Sequence, residues 1–197
     1  MNRFGFVKFL IFLIIAAALF VFAACRPIVT TEETAMTDAP AAPPAYVTAL
    51  QAIYGPPSQA GFGSAVFYEP DARIGDLAAW SLEKYRYFTG DLWERYGEEA
   101  WLGPWRQVYW RPDGAAPDIV AELRAIDDAD AARSVEMILD NTEDPESARA
   151  ALAAVFDDPA MREVVVFNLG DGAAMSGVLV AGRRTTGEAV FLLFLMD

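Results

Sequence analysis

The stretch EVVVFNLGDGAAMSGVLVAGRRTTGEAVFLLFLM, residues 163–196, decides the fold because it contains three strand patterns in succession. The three runs cover 163–169, 176–183 and 188–196 and are rich in β-branched and large apolar residues, which favour strands. Thr185-Thr186-Gly187 supplies the turn before the last run. Because residues 190–196 are apolar throughout, we expect the last strand to be central and covered on both faces.

Upstream of these strands the chain contains an internal repeat. An offset of 42 residues aligns 31 positions without a gap, and nine of them are identical, which is more than chance provides. Both copies have a short helix pattern ending at a glycine (Gly55 and Gly97), an aromatic or β-branched run, and a Pro-Asp turn. The residues after each turn, 77–88 and 119–126, fit a helix or a strand. We favour strands, since a turn between extended segments is typical of a hairpin.

The repeat predicts how the folded part is organised. Its αββ-like units cover about 46–87 and 88–129, and a weaker third copy lies in 145–197, where Asp171 repeats the aspartate of the Pro-Asp turns. We therefore predict a single α+β domain over residues 46–197. Its antiparallel sheet is built from two or three αββ-like repeat units, with helices packed on the sheet.

Capping residues predict two helices between the second unit and the last three strands. Asp128 or Asp130 can cap the first helix, since a side-chain carboxylate accepts hydrogen bonds from the first free N–H groups. Asp144 can cap the second helix, with Pro145 at its first position, where proline is favoured.

The first 25 residues have a different character. Arg3 and Lys8 precede a sixteen-residue apolar run that ends with Phe22-Ala23-Ala24. Cys25, the only cysteine, follows directly. This order of features resembles the export signal and lipobox of a bacterial lipoprotein. The resemblance implies that residues 1–24 are a signal peptide and that Cys25 carries fatty-acyl chains. Cleavage as an ordinary signal peptide and retention as a membrane helix are the alternatives, although a spanning helix needs roughly 20 apolar residues.

The resemblance also implies a location in the cell envelope. The protein would be held by its lipid on the outer face of the cytoplasmic membrane or in the outer membrane. Residues 26–45 are rich in Thr, Ala, Pro and Glu and lack apolar periodicity, so with Cys25 they form a disordered tether (25–45). Twenty flexible residues span roughly 25 Å root-mean-square.

Charge and composition exclude several classes of function. The net charge is −13, the chain contains no histidine, and Lys84 is the only lysine after the leader. Nucleic acid is therefore not an expected partner, because phosphate binding requires clustered Lys and Arg. The usual acid–base group and the commonest transition-metal ligand are both missing. We assign no cofactor, no metal ligand and no catalytic residue.

Aromatic residues provide the candidate binding site. All five tryptophans lie between residues 80 and 110. Trp101 and Trp105 flank Gly103-Pro104 in a predicted loop, and exposed aromatic side chains in loops often bind ligands. With Trp93 and Tyr96 they are the candidate ligand-binding residues for a sugar, a lipid or an apolar segment. The alternative is that these rings form the core.

Two groups of acidic residues are further candidate sites, one for catalysis and one for a metal ion. Glu94, Glu98 and Glu99 lie beside the aromatic residues, and paired carboxylates are what a glycosidase requires. Glu94 and Glu98 are four residues apart, which predicts that they share one helix face; a solvated face is the alternative. The oxygen-rich loop 140–146 could bind calcium, although helix capping explains it equally well.

Together these features favour a lipid-anchored extracytoplasmic binding or protein-interaction domain over an enzyme. Its expected partners are the membrane, through the lipid anchor, and an envelope protein or glycan. The alternative is an envelope glycan or peptidoglycan hydrolase that uses the carboxylates near the tryptophans.

Overall fold

The structure is a computed structural model that describes residues 42–170 and 173–197. The predicted signal peptide, Cys25 and nearly all of the predicted tether lie outside the described residues, as does Asp171 of the weaker third repeat. Within the described ranges, no helix has both the length and the apolar character that crossing a membrane requires.

Five strands form one antiparallel sheet, as the last part of the sequence predicts. Their order across the sheet is β1-β5-β4-β3-β2. The last three strands match the three predicted runs and pair as two successive hairpins. The strands are β1 Gly63–Glu69, β2 Arg106–Trp110, β3 Met161–Gly170, β4 Ser176–Arg184 and β5 Ala189–Met196. β5 lies between β1 and β4, and Phe191, Leu192 and Leu193 in it are fully buried, which confirms that this strand is covered on both faces.

Helices cover both faces of the sheet, so the domain has three layers. In the described residues the helices are α1 Ala45–Tyr54, α2 Leu77–Thr89, α3 Asp91–Tyr96, α4 Glu98–Leu102, α5 Ile119–Arg124, α6 Ala129–Asp140 and α7 Pro145–Phe156. Buried residues of α1, α5, α6 and α7 pack with one another and with what we call the first face of the sheet. Buried residues of α2, α3 and α4 pack on the second face. Alternate residues of each strand supply the two cores, since successive side chains point to opposite faces.

The predicted helix caps are confirmed. The carboxylate of Asp128 accepts a hydrogen bond from the N–H of Ala131 at 3.0 Å, and that of Asp144 accepts one from the N–H of Ser147 at 3.0 Å. Pro145 occupies the first position of α7. These contacts satisfy N–H groups that have no partner inside the helix.

The prediction of strands at 77–88 and 119–126 is wrong, because the first segment lies in helix α2 and the second contains the whole of helix α5. Leu77, Ser81, Tyr85 and Phe88 are buried along one side of α2, and this spacing is helical. The alternation of polar and apolar residues that suggested a strand was the weaker of two patterns. The first copy is helix–strand–helix and the second has two helices, α3 and α4, before its strand and last helix, so the units are not αββ.

A buried ionic network fixes the end of β2. Arg111, which follows the strand, is 8% exposed and forms two hydrogen bonds to the carboxylate of Glu122, at 2.7 and 2.8 Å. It also donates to the carbonyl of Phe156 at 2.7 Å and to Asp157 at 3.3 Å. Burial raises the pKa of Asp157, while its hydrogen bond from the N–H of Ile119 opposes that rise. The network ties β2 to α5 and α7 and therefore holds the neighbouring Trp110 in place.

Candidate functional site

The aromatic residues predicted to bind a ligand lie mainly in the core of the second face. Trp93 is 3% exposed and Trp101 is fully buried. Trp101 belongs to helix α4, and its indole N–H donates to the carbonyl of Leu92 at 3.2 Å. The expectation that Trp101 is an exposed loop residue is therefore wrong. The loop begins only after α4 ends, and the ring points inward because the second face of the sheet requires a large apolar cover.

Tyr85 is the centre of this aromatic cluster. The rings of Trp93 and Trp101 approach Tyr85 edge-on, with centroid distances of 5.6 and 5.9 Å. The half-buried ring of Trp105 stacks on Tyr85 at 5.8 Å and on Phe167 of β3 at 4.4 Å. Stacked and edge-on pairs are the favoured geometries for aromatic rings. The cluster thus joins α2, α3 and α4 to the sheet.

Tyr96 is the exposed member of the candidate set. It is 49% exposed, its ring lies 6.0 Å from that of Trp101, and Arg95 covers it at 5.6 Å. The four candidates are therefore brought together, but Trp93 and Trp101 present no free ring surface and only Tyr96 offers a large one.

Glu94 and Glu98 do not share a helix, so the prediction that they lie on one helix face is wrong. Glu94 lies in α3, while Glu98 and Glu99 begin α4. Gly97 separates the two helices with a φ of 82°, a left-handed conformation that glycine adopts readily. All three glutamates are exposed, and Glu98 forms an ion pair with Arg86.

The oxygen-rich loop at 140–146 is occupied by local interactions. Asp140 forms ion pairs with Arg124 at 3.0 Å and Arg149 at 2.8 Å, while Asp144 caps α7. The hydroxyl of Ser147 donates to Asp144, and this hydrogen bond lowers the pKa of the carboxyl group. In the described part of the chain, no group of three or more His, Cys, Asp or Glu residues is placed to hold a metal ion.

A groove lined by arginines lies at one end of the sheet, and sequence reasoning missed it. Its volume is about 470 Å³. We call it the arginine groove. β3 and β5 begin at this end of the sheet, while β1, β2 and β4 finish there. The groove is lined by Arg73, Gly75, Trp110, Asp113, Arg162, Glu163, Arg183, Arg184, Thr185 and Gly187. Four arginines in one groove contrast with the strongly acidic composition of the chain.

Two of these arginines hold the walls of the groove together. Arg183 donates to one carboxylate oxygen of Glu163 at 2.6 Å, and to the carbonyls of Ala72 and Gly75 at 3.1 and 2.9 Å. It therefore fixes the loop between β1 and α2 against the sheet. Arg184 pairs with Asp158 at 3.1 Å.

The surroundings of Arg184 are polar and partly buried. Its guanidinium lies 4.8 Å from the ring of Tyr46, and its Nη1 is buried without a hydrogen-bond partner among the described residues. Glu188, which lies 3.6 Å from Arg184, accepts hydrogen bonds from the hydroxyls of Tyr68 and Thr186, each at 2.7 Å. These hydrogen bonds lower the pKa of Glu188.

The other two arginines are available to a ligand. Arg162 is exposed, and its guanidinium forms no hydrogen bond or ion pair with any residue in the described ranges. The register of β3 shifts between Met161 and Glu163, so Arg162 is the extra residue of a β-bulge. Bulges re-aim side chains and are frequent beside active sites. Within the residues that the structure describes, Arg73 forms its ion pair with Asp71, at 2.8 Å, and both side chains are more than half exposed.

The Arg73–Asp71 pair is well formed but open to exchange. Hydrogen bonds from Arg73 lower the pKa of Asp71 to about 2. Because surface ion pairs contribute little to stability, an incoming anion can replace Asp71 on Arg73 at small cost. Arg73 also crosses the turn at Gly187, where any side chain would collide with it.

Trp110 supplies the apolar surface of the groove. It is 49% exposed at the end of β2. A second bulge precedes it, since the register of β2 shifts between Gln107 and Tyr109. The sequence places Trp110 in the aromatic-rich segment, but no feature of the sequence distinguishes it from the buried tryptophans. Arg162 carried no sequence signal at all, because a bulge has no residue signature.

A second cavity of about 530 Å³ lies at the opposite end of the sheet. Ile53, Tyr54, Ser64, Thr142 and Phe194 are among its lining residues. Tyr54 donates its hydroxyl to the carbonyl of Ile138 at 2.6 Å. The lining contains no arginine or lysine and is therefore a poor site for an anion.

Comparison with known proteins gives no further guide to the site. No protein-family model, curated protein or solved structure shows a significant match to this chain.

Proposed function

We propose that this protein is a lipid-anchored extracytoplasmic binding domain that recognises an anionic group in the arginine groove and performs no catalysis. The observation that carries the proposal is the guanidinium of Arg162, which has no hydrogen-bond or ion-pair partner among the described residues and lines the same groove as the exposed ring of Trp110. An exposed arginine that a β-bulge directs into a groove, in a chain with net charge −13, is best explained by a negatively charged ligand.

The chemistry of the groove suits a phosphate or carboxylate attached to an apolar or ring-shaped body. Guanidinium groups bind both anions with paired hydrogen bonds, and the indole of Trp110 provides a flat apolar surface. The volume of about 470 Å³ falls in the range of small-ligand sites. Arg183 bonds both Glu163 and the loop between β1 and α2, so this wall of the groove is in place before a ligand binds, which reduces the entropy cost of binding.

The anchor and the location are proposed from the sequence alone. Arg3, Lys8, the apolar run and Cys25 support export and acylation, and acylation would place the domain in the envelope. Two acyl chains hold a protein on a membrane far more firmly than one.

The hydrolase alternative has no support from the site. Glu94 and Glu98 lie on separate helices and face solvent, with Glu98 paired to Arg86. The groove contains two carboxylates, Asp113 and Glu163, but Glu163 is paired with Arg183. We therefore propose recognition and not hydrolysis.

We also propose that the first two repeat units descend from one duplicated helix–strand–helix unit. The proposal is supported by Gly55 and Gly97, which end the first helix of each copy with φ values of 87° and 82°. It is also supported by Asp76 and Asp118, which cap the second helix of each copy. The strands of the two copies, β1 and β2, form opposite edges of the sheet. In the first copy, α1 lies on the first face and α2 on the second. In the second copy, α3 lies on the second face and α5 on the first, as a two-fold axis along β4 would require.

The binding proposal is tested by titrating inorganic phosphate into the full-length protein in detergent micelles. The N–H signals of arginine side chains, followed by NMR, should shift for Arg162. Arg162→Gln should weaken phosphate binding at least tenfold. Arg133→Gln is the matched control, because Arg133 is also exposed and its guanidinium has no hydrogen-bond or ion-pair partner among the described residues, but it lies outside the groove. Equal effects of the two substitutions would remove the groove from the proposal.

A further inference from the structure

We infer that the anionic group is the phosphate of a membrane phospholipid, and that the groove end of the domain docks on the bilayer in which Cys25 is anchored. The inference rests on the proposed function, since it requires both the acyl anchor and an anion-binding groove. It goes further by assigning the ligand class and the orientation of the domain on the membrane.

The chain enters the domain at the groove end of the sheet. The described residues begin at 42, and α1 begins at Ala45. Tyr46, in the first turn of α1, lies 4.8 Å from the guanidinium of Arg184, which lines the groove. The other end of α1 lies at the opposite end of the sheet, where the carbonyl of Tyr54 accepts a hydrogen bond from Ser64 at 2.8 Å. A chain that leads from a membrane anchor therefore reaches the domain at its groove end.

An exposed apolar side chain, Ile74, lies next to the groove in the chain. Ile74 is 89% exposed, the most exposed of the large apolar side chains in the described residues, and it lies between Arg73 and Gly75 of the groove lining. Its position is held, because its carbonyl accepts a hydrogen bond from the indole N–H of Trp80 at 3.1 Å. An isoleucine fixed in this exposed position gains free energy by entering the lipid interface.

The remaining groups at this end match the chemistry of that interface. Tryptophan is enriched at the level of lipid headgroups, and Trp110 is half-exposed in the groove. Arginine side chains reach from apolar surroundings to phosphates, which Arg73 and Arg162 are placed to do. Phosphate, tryptophan and isoleucine together describe a phospholipid better than a free ion, which would leave Ile74 in water.

The net charge of −13 does not prevent this contact. Surface charges farther than about 8 Å from the membrane are largely screened at physiological ionic strength. The charges at the groove end therefore determine the electrostatic interaction with the membrane. There the exposed arginines, Arg73 and Arg162, are balanced by the exposed acids Asp71 and Asp113. Docking therefore depends on specific phosphate contacts and apolar burial and not on a strong positive field.

A weak site is sufficient because the predicted tether would keep the domain near the membrane. The segment between Cys25 and α1 has about 20 residues. A flexible link of this length confines the domain to roughly 25 Å from the surface, which gives an effective concentration in the millimolar range. A groove with millimolar affinity for a phosphate would then be occupied much of the time.

The test uses the full-length acylated protein in vesicles of phosphatidylcholine and phosphatidylglycerol. Because acylation consumes Cys25, the only natural cysteine, the variant Ile74→Cys can be labelled at one position with an environment-sensitive dye. Asn141→Cys, exposed beside the second cavity at the opposite end of the sheet, is the matched control. We expect a blue-shifted emission and quenching by brominated lipids at position 74 but not at position 141. Adding Arg162→Gln should reduce the quenching at position 74 severalfold.

The possible failures are distinguishable. Equal, water-like emission at both positions, in a protein whose Arg162 still binds inorganic phosphate, would overturn the docking inference and leave the proposed function intact. Loss of phosphate binding, or intact-mass analysis that finds Cys25 unmodified, would overturn the proposed function and the inference with it.

Discussion

Replacing Trp101 by alanine should greatly lower the free energy of unfolding of the domain, because the ring belongs to the core and does not form a ligand-binding surface. Trp101 is fully buried and contacts Trp93, Tyr85 and Tyr96, with its N–H bonded to the carbonyl of Leu92. A buried tryptophan removes about 200 Å² from water, which corresponds to about 5 kcal/mol at 25 cal/mol per Å². Measured costs of such truncations are about 3–5 kcal/mol, so we expect a loss of about 4 kcal/mol.

The assay is urea unfolding followed by far-ultraviolet circular dichroism, since fluorescence would change with the removed ring. The unfolding midpoint should fall while the slope stays the same, and the melting temperature should drop by roughly 8–16 °C for a domain of this size. Trp101→Phe is the control, because it keeps most of the apolar area and loses the hydrogen bond to Leu92. Trp101→Phe should lower the free energy of unfolding by about 1–2 kcal/mol, at most half of the loss expected for alanine.

The refuting result is a loss below about 1 kcal/mol for Trp101→Ala, the value typical of a surface position. Such a result would return Trp101 to the candidate binding surface. A large loss of stability would instead mean that loss of ligand binding in this variant says nothing about a pocket. Trp110→Leu is the informative substitution for binding, because its ring is half-exposed.

The remaining predictions concern the ionic network of Arg111 at the end of β2 and the hydrogen bonds of Glu188. Arg111→Met should lower the free energy of unfolding by about 3–5 kcal/mol in urea titrations, because it leaves the largely buried carboxylate of Glu122 without its counter-ion. A loss no larger than that of Arg124→Met, which breaks an exposed ion pair worth about 1 kcal/mol or less, would contradict this. Tyr68→Phe removes the hydrogen bond that lowers the pKa of Glu188 below 4.5, a contribution to stability that is present above that pH and lost as the pH falls through the lowered value. The stability difference between this variant and the native chain should therefore be about 1.5 kcal/mol at neutral pH and shrink as the pH falls below 4.5. A difference that is independent of pH would refute this explanation.

The parts of the fold that the sequence predicted are those with one dominant local signal. The apolar run that forms β5 could only be a strand covered on both faces, and Asp144-Pro145 could hardly be anything but the start of a helix. The segment at 77–88 carried two periodicities at once, and tertiary packing chose between them. The second face of the sheet needed a cover, and a helix with Tyr85 and Phe88 inward provides one.

The candidate site shows the same division. Five tryptophans close together in sequence indicated an important region, but residue type cannot say which ring points inward. Trp101 and Trp110 are alike in the sequence, yet the first fills the space between α4 and Tyr85 while the second ends an edge strand. Burial depends on which side of a helix or strand faces the sheet, and that follows only when the elements are placed.

The arginine groove could not be predicted because it depends on two departures from regular pairing. Without the bulge at Arg162, every residue of β3 would keep its alternation, and the side chain at 162 would lie over the first face with Val164 and Val166. The bulge breaks that alternation at the start of the strand, where one arginine is left without a counter-ion. Total charge pointed the other way, since −13 suggests that anions are repelled. Screening by salt limits the reach of a charge to less than the width of this domain, however. The placement of Arg73 and Arg162 at the end where α1 begins therefore determines which surface an anion or a membrane meets first.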